Sequence, residues 1–178
     1  MRGFSALAPD RPDSIHRCPI YALLDNVRSA WNVGSMFRTA DAAGLAGLYL
    51  CGLTPTPPRP DLEKTALGAS RTVRWDYWPR TVDAVEALRA RGVQVVALET
   101  GPAAIDVAQV PRDYPLCFVV GHEVAGIADE VLARCDRIAA IPMHGHKGSL
   151  NVAVSFGVMA YALRRDWESH TAPSRRRE

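Results

Sequence analysis

Cysteine is scarce in this chain. The four present in 178 residues, Cys18, Cys51, Cys117 and Cys135, show no Cys-x-x-Cys or other metal-ligand spacing. Two of them lie inside apolar runs, so they read as buried free thiols in a reducing, cytoplasmic setting, with no disulfide framework. The first thirty residues lack the apolar core of a signal peptide. The uncharged stretch from Gly148 to Leu163 is shorter than the ~20 apolar residues that a membrane span needs, which makes it a buried helix. An excess of one charge is missing as well. Lys and Arg number 21 against 19 Asp and Glu, and the net charge of +2 permits an acidic partner such as RNA without demanding one. Neither Gly-x-Gly-x-x-Gly after the first strand nor Gly-x-x-x-x-Gly-Lys-[Ser/Thr] occurs, so ordinary Rossmann and P-loop readings lose support. There is no internal repeat.

Hydrophobic residues make up 48% of the chain, enough for one domain with a sizeable core. Residues 1–17 are polar and proline-containing and read as a loosely held arm. Residues 169–178 end in Arg175, Arg176 and Arg177 and read as a basic, disordered tail. Between them, residues 18–168 alternate apolar runs with helical patterns. The runs 19–24, 45–51, 93–98 and 116–120 suit strands buried on both faces. Trp31 to Ala43 carries Val33, Met36, Phe37 and Ala40 at i, i+3, i+4 and i+7, with Gly44 as the stop. Thr81 to Arg91 is a second amphipathic helix, Val73 to Trp78 a short alternating strand, and the residues before Cys135 a helical pattern. A loop with Pro55, Pro57, Pro58 and Pro60 reads as neither helix nor central strand. This alternation predicts an α/β fold with a mostly parallel sheet flanked by helices.

Chemistry concentrates in the last third. Apolar runs ending at Val120 and near Ile141 each deliver a polar loop, Gly121-His122-Glu123 and His144 to Asn151, and a third follows at Glu99-Thr100-Gly101-Pro102. Loops at the carboxyl ends of parallel strands share one crevice, so these three should meet around a ligand. Ser149 is a plausible helix N-cap, and Asn151, set in an apolar helix start, is a buried amide that needs partners.

Three ordered motifs carry a resemblance. They are Asn32-x-Gly34-x-x-x-Arg38-Thr39-Ala40-x-x-x-Gly44, then Gly121-x-Glu123-x-x-Gly126, then Ile141-Pro142-Met143-x-Gly145-x-x-x-Ser149-Leu150-Asn151. Over roughly Ile20 to Arg165 the chain resembles the SpoU (TrmH-type) RNA 2′-O-ribose methyltransferases of the SPOUT class. Lys64 to Ala69 similarly resembles the family's Gly-Ala segment. The resemblance implies a deep C-terminal trefoil knot and S-adenosylmethionine as cofactor, held by Thr100, Gly121, Ile141, Met143 and Leu150. It implies Arg38 as the catalytic arginine, with Asn32, Glu123, Ser149 and Asn151 as its polar surround and Glu123 fixing Arg38 or orienting the nucleotide. It also implies a homodimer in which the first motif of one subunit faces the pocket of the other.

A guanidinium stays charged at any working pH, so Arg38 is read as orienting and polarising the 2′-oxygen and adjacent phosphate more than as a base. No metal is required, because the methyl donor carries its own leaving group. The RNA, a tRNA or rRNA, would meet the dimer surface through the proline-rich loop and Arg28, Arg59, Arg71 and Arg74. Val152, Phe156, Met159, Ala160 and Leu163 recur around more than one face of the last helix, which calls for a partner surface. Two other readings use the same residues: a catalytically silent RNA-binding dimer, and a zinc hydrolase built on His122, His144, His146 and Glu123.

Overall fold

The computed structural model describes residues 17–171, so residues 1–16 of the expected arm and 172–178 of the expected tail lie outside it. The chain runs β1 (Cys18–Asp25), α1 (Ala30–Ala43), β2 (Leu45–Cys51), α2 (Pro60–Ala66), a 3-10 turn (Ala69–Arg71), β3 (Trp75–Trp78), α3 (Thr81–Arg89), β4 (Gln94–Leu98), β5 (Ile105–Asp106), β6 (Leu116–Val120), α4 (Asp129–Leu132), β7 (Arg137–Ala140) and α5 (Val152–Thr171). Arg17 and Ser169–Thr171 depart from the expected boundaries. Arg17 bonds the carbonyls of Leu45 and Thr72 and pairs with Asp41 at 3.3 Å, and the last three residues continue α5.

Seven strands form one sheet in the order β3-β2-β1-β6-β4-β7-β5, and every ladder is parallel. The chain steps outward from β1 to β3, crosses to lay down β4 and β5, and then inserts β6 between β1 and β4 and β7 between β4 and β5. Because side chains alternate along a strand, both faces of the central strands are apolar. Leu116, Phe118 and Val120 meet α1, α2 and α5, whereas Cys117 and Val119 meet α3 and α4. Phe118 packs on Phe156 of α5 with ring centroids 5.0 Å apart, and burying one such side chain contributes about 1.5–3 kcal/mol.

Several expectations change. Pro60 does not lie in loop: it occupies the first turn of α2, where a missing N–H costs nothing, so the proline-rich loop is shorter than read. Phe156, Met159, Ala160 and Leu163 lie on one core-facing stripe, fully buried, with Val152 half-buried beside them; they call for no partner. The exposed apolar stripe of α5 is instead Val154, Val158 and Tyr161, at i, i+4 and i+7. α1 crosses α2 at Gly34, where a Cβ would run into the Leu62 carbonyl oxygen and the Thr65 hydroxyl, so only glycine permits that approach. No described helix is long and apolar enough to cross a membrane.

Candidate cofactor and active site

The carboxyl ends of β6, β4 and β7 are neighbours in the sheet, and their following loops enclose a cavity of about 400 Å3. That volume falls in the range of small-molecule sites. Thr100, Gly121, Ile141, Met143 and Leu150, the expected cofactor residues, all line it, as do Glu123, Ser149 and Asn151. Gly121 is placed there by an antiparallel bridge between His122 and Gly126, whose N–H and C=O groups exchange bonds of 3.0 and 2.9 Å. A Cβ on Gly121 would strike the backbone of Gly126 and Ile127, so the turn closes only with glycine.

Asn151, not Ser149, is the N-cap of α5. Its side-chain oxygen accepts from the N–H groups of Ala153 at 2.9 Å and Val154 at 3.4 Å, the geometry a cap requires. Asn151 is exposed in the chain, so the expectation of a buried amide does not hold, although its side-chain nitrogen approaches Asn32 Oδ1 at 3.4 Å. Ser149 is exposed on the preceding loop.

Glu123 does not hold Arg38 within the chain. Its carboxylate accepts from the backbone N–H of Ser29 at 3.0 Å and Arg28 at 3.2 Å and from the Asn32 amide at 3.1 Å. It thereby tops the N-terminus of α1, whose free N–H groups and dipole favour an anion. Desolvation raises the Glu123 pKa, but hydrogen bonds from its own N–H and from Ser29, Arg28 and Asn32 outweigh it and leave the carboxyl below its ordinary value. Asn32, Glu123 and Asn151 thus join the three motifs inside one chain. Arg38 lies six residues further along α1, exposed, outside the lining of its own chain's pocket and with no hydrogen bond or ion pair among the described residues.

The four arginines expected on the RNA do not cluster. Arg28 is exposed beside Glu123 at the pocket rim, and Arg59 leads from the loop after β2 into α2, paired with Asp61 at 2.8 Å. Arg74 directly precedes β3, at the amino end of the sheet and opposite the pocket, and Arg71 ends the 3-10 turn there, next to Thr72, which bonds Asp41 near the end of α1.

Two acids at the ends of strands, Asp25 of β1 and Glu99 just after β4, tie the loops around the site together. Asp25, buried at the end of β1, accepts from the Thr81 hydroxyl at 2.5 Å, the Asn26 amide at 2.9 Å and the Ala128 N–H at 3.2 Å. Glu99 accepts from the N–H of Thr100 at 2.9 Å and of Ile127 at 3.0 Å, tying the β4 loop to the β6 loop. An acid closing an apolar strand beside a polar loop was the available signal.

His122 spends its Nδ1 accepting from the N–H groups of Val124 and Ala125 at 3.0 and 3.2 Å, inside the turn. No group of three or more His, Cys, Asp or Glu able to hold a metal ion occurs among the described residues. The four cysteines are free; burial raises the thiol pKa at each, to about 12 at Cys135, so none offers a thiolate nucleophile.

Comparison with known proteins fits this geometry. The chain is 30% identical over 142 residues to the tRNA (guanosine(18)-2'-O)-methyltransferase of Escherichia coli K12, covering 80% of this chain and 61% of that protein. It is 33% identical over 146 residues to the 23S rRNA (guanosine-2'-O-)-methyltransferase RlmB of Vibrio cholerae, covering 82% and 59%. The chain therefore spans about three-fifths of the length of these relatives. An AdoMet-bound rRNA methyltransferase from Sinorhizobium meliloti superposes with a TM-score of 0.79 at 32% identity, over 85% of this chain and 58% of that one. The SpoU methyltransferase AviRb from Streptomyces viridochromogenes, in complex with AdoMet, gives 0.75 at 29% identity, over 89% and 62%. Residues 19–161 match the profile of the SpoU rRNA Methylase family, and with the second and third motifs lining one cavity and Asn32 of the first bonded to Glu123 at its rim, the chain belongs to that family.

Proposed function

We propose that this chain transfers the methyl group of S-adenosylmethionine to a ribose 2′-hydroxyl of tRNA or rRNA in the cytoplasm. The observation that carries this reading is the meeting of Gly121, Ile141, Met143, Leu150 and Thr100 around one cavity, with the first-motif helix anchored at its rim. The cofactor, when bound, supplies an activated methyl on a sulfonium. Thr100, Gly121, Ile141, Met143 and Leu150 hold it with backbone and apolar contacts, and the cavity volume suits a ligand of that size. The residues on the other side position the acceptor. Arg38 offers a planar fork to the 2′-oxygen and the neighbouring phosphate, and Asn32, Glu123 and Asn151 fix the start of the helix that carries it. Ser149, exposed at the cavity edge, contacts the ribose side.

Arg38 is exposed and absent from its own pocket lining, which supports an assembly in which it enters the pocket of a second copy. The exposed stripe Val154, Val158 and Tyr161 would be the apolar face buried in that homodimer. The order in which β6 and β7 are inserted supports a trefoil knot closed by α5. So do the straps across α5: Arg112 pairs with Asp166 at 2.8 Å, and Tyr114 stacks edge-on against Trp167 at 5.1 Å. RNA would approach the rim first through Arg28 and Arg59, with Arg71 and Arg74 at the far edge reached only by an extended RNA. The test is transfer of labelled methyl from S-adenosylmethionine to tRNA and rRNA, with mass mapping of ribose methylation in cells lacking the gene. Label incorporated at a ribose, lost with Arg38→Ala, is the expected result. RNA binding without any transfer would leave a silent RNA-binding dimer.

A further inference from the structure

The cavity has a charge asymmetry that its shape does not require. Glu99 and Glu123 line it, and no Lys or Arg does. The two acids differ in what surrounds them. Glu123 is spent on the N-terminus of α1, where three donors and the helix dipole balance it. Glu99 accepts from the backbone amides of Thr100 at 2.9 Å and Ile127 at 3.0 Å and from the Thr100 hydroxyl at 3.4 Å, and no described cation pairs with it. Its Oε2 lies where a Cβ of Gly126 would go, and Gly126 holds a left-handed φ of 69°. Glu99 is therefore seated between the two loops and bridges them.

We propose that Glu99 is a specificity-determining residue that lets the pocket distinguish the cofactor before transfer from the one after it, by charge; this rests on the methyltransferase reading above. In the reaction the methyl C–S bond breaks, a C–O bond forms, and the electron pair of the broken bond stays on sulfur. The sulfonium becomes a neutral thioether and the hydroxyl proton passes to solvent water, so the ligand in the cavity loses one positive charge. A fixed, unpaired carboxylate in the wall favours the cation over the neutral product. Between two charges in a partly solvated site, the effect is on the order of three- to tenfold in relative affinity. Glu99 thus promotes exchange of spent for fresh cofactor, and because it also stabilises the cationic ground state it does not speed the transfer itself.

Calorimetry with S-adenosylmethionine and S-adenosylhomocysteine on metal-free protein tests this. Glu99→Gln should move the ratio of the two affinities toward S-adenosylhomocysteine by about three- to tenfold, and Glu99→Asp, which keeps the charge, should leave the ratio near that of the wild type. In the wild type itself the preference for the cation should shrink as salt rises to ~0.5 M, which keeps the test open if the glutamine variant fails to fold. Parallel weakening of both ligands in Glu99→Gln, or a salt-independent ratio in the wild type, would overturn the proposal and leave Glu99 as packing. Failure of the wild type to bind either ligand would instead overturn the cofactor assignment.

Discussion

Removing the Glu123 carboxylate should loosen the start of α1 in the same chain, and its size can be worked from the contacts. Glu123→Ala deletes three hydrogen bonds, to Ser29, Arg28 and Asn32. In isolation charge-assisted bonds are worth more, but Glu123 is more than a third exposed, so solvent screening reduces each to about 0.5 kcal/mol and the sum to ~1–2 kcal/mol. For a domain of this size that lowers Tm by about 3–6 °C. The pH dependence has a definite sign. The folded carboxyl lies below its ordinary value of 4.5, so its contribution is fully present above pH 4.5 and is lost as pH falls through the lower, folded value. Differential scanning calorimetry of both proteins should therefore show a constant Tm gap from pH 8 to 5 that closes in acid. Transfer should fall in step, because Arg38 rides on the same helix. A gap that widened in acid, or an unchanged Tm with activity lost, would refute the account of Glu123 as an anchor for α1.

Other perturbations separate the remaining roles. Arg38→Ala should abolish transfer with cofactor affinity by calorimetry nearly unchanged, and Arg38→Lys should fail too, since one ammonium cannot reproduce the fork; near-normal kcat in the lysine variant would reduce Arg38 to a general electrostatic contact. Val158→Glu, on the exposed stripe of α5, should convert a dimer to a monomer in light scattering while the fold survives. Mixed dimers of Arg38→Ala with Met143→Asp should regain up to about half of wild-type activity, as two-fold symmetry requires. Mixtures of Arg38→Ala with Glu123→Ala should regain less, because the only intact Arg38 then sits on the helix that has lost its anchor. Asp25→Ala, which strands the buried Thr81 hydroxyl and Ala128 N–H, should cost about 2–4 kcal/mol by denaturant titration.

Much of this arrangement was legible in the residues. Apolar runs such as Leu116 to Val120 announce strands buried on both faces, and polar loops at their ends mark the crevice, so residues that line the cavity could be named from the sequence. What escaped were relations fixed by tertiary approach. A periodic pattern cannot say which of two apolar stripes on α5 faces the core, and Phe156 and Tyr161 differ only in what packs against them. The bond from Glu123 to the start of α1 spans more than ninety residues and has no local trace. Ser149 and Asn151 are both good cap residues, and which one caps depends on where the loop from β7 lets the helix begin. Pro60 reads as a breaker in sequence because proline stops helices from within, yet it starts them well.

The crossing of α1 and α2 at Gly34 sets more than a packing distance. With the backbone of α2 seated against it, α1 cannot roll about its own axis without driving a turn of one helix into the other. Arg38 is one helical turn past that crossing, so its compass bearing is set by a neighbour that does not line the cavity. The spacing Asn32-x-Gly34-x-x-x-Arg38 is in that sense a mechanical specification: a bearing at the middle residue, with a tether on one side and an exposed arginine on the other.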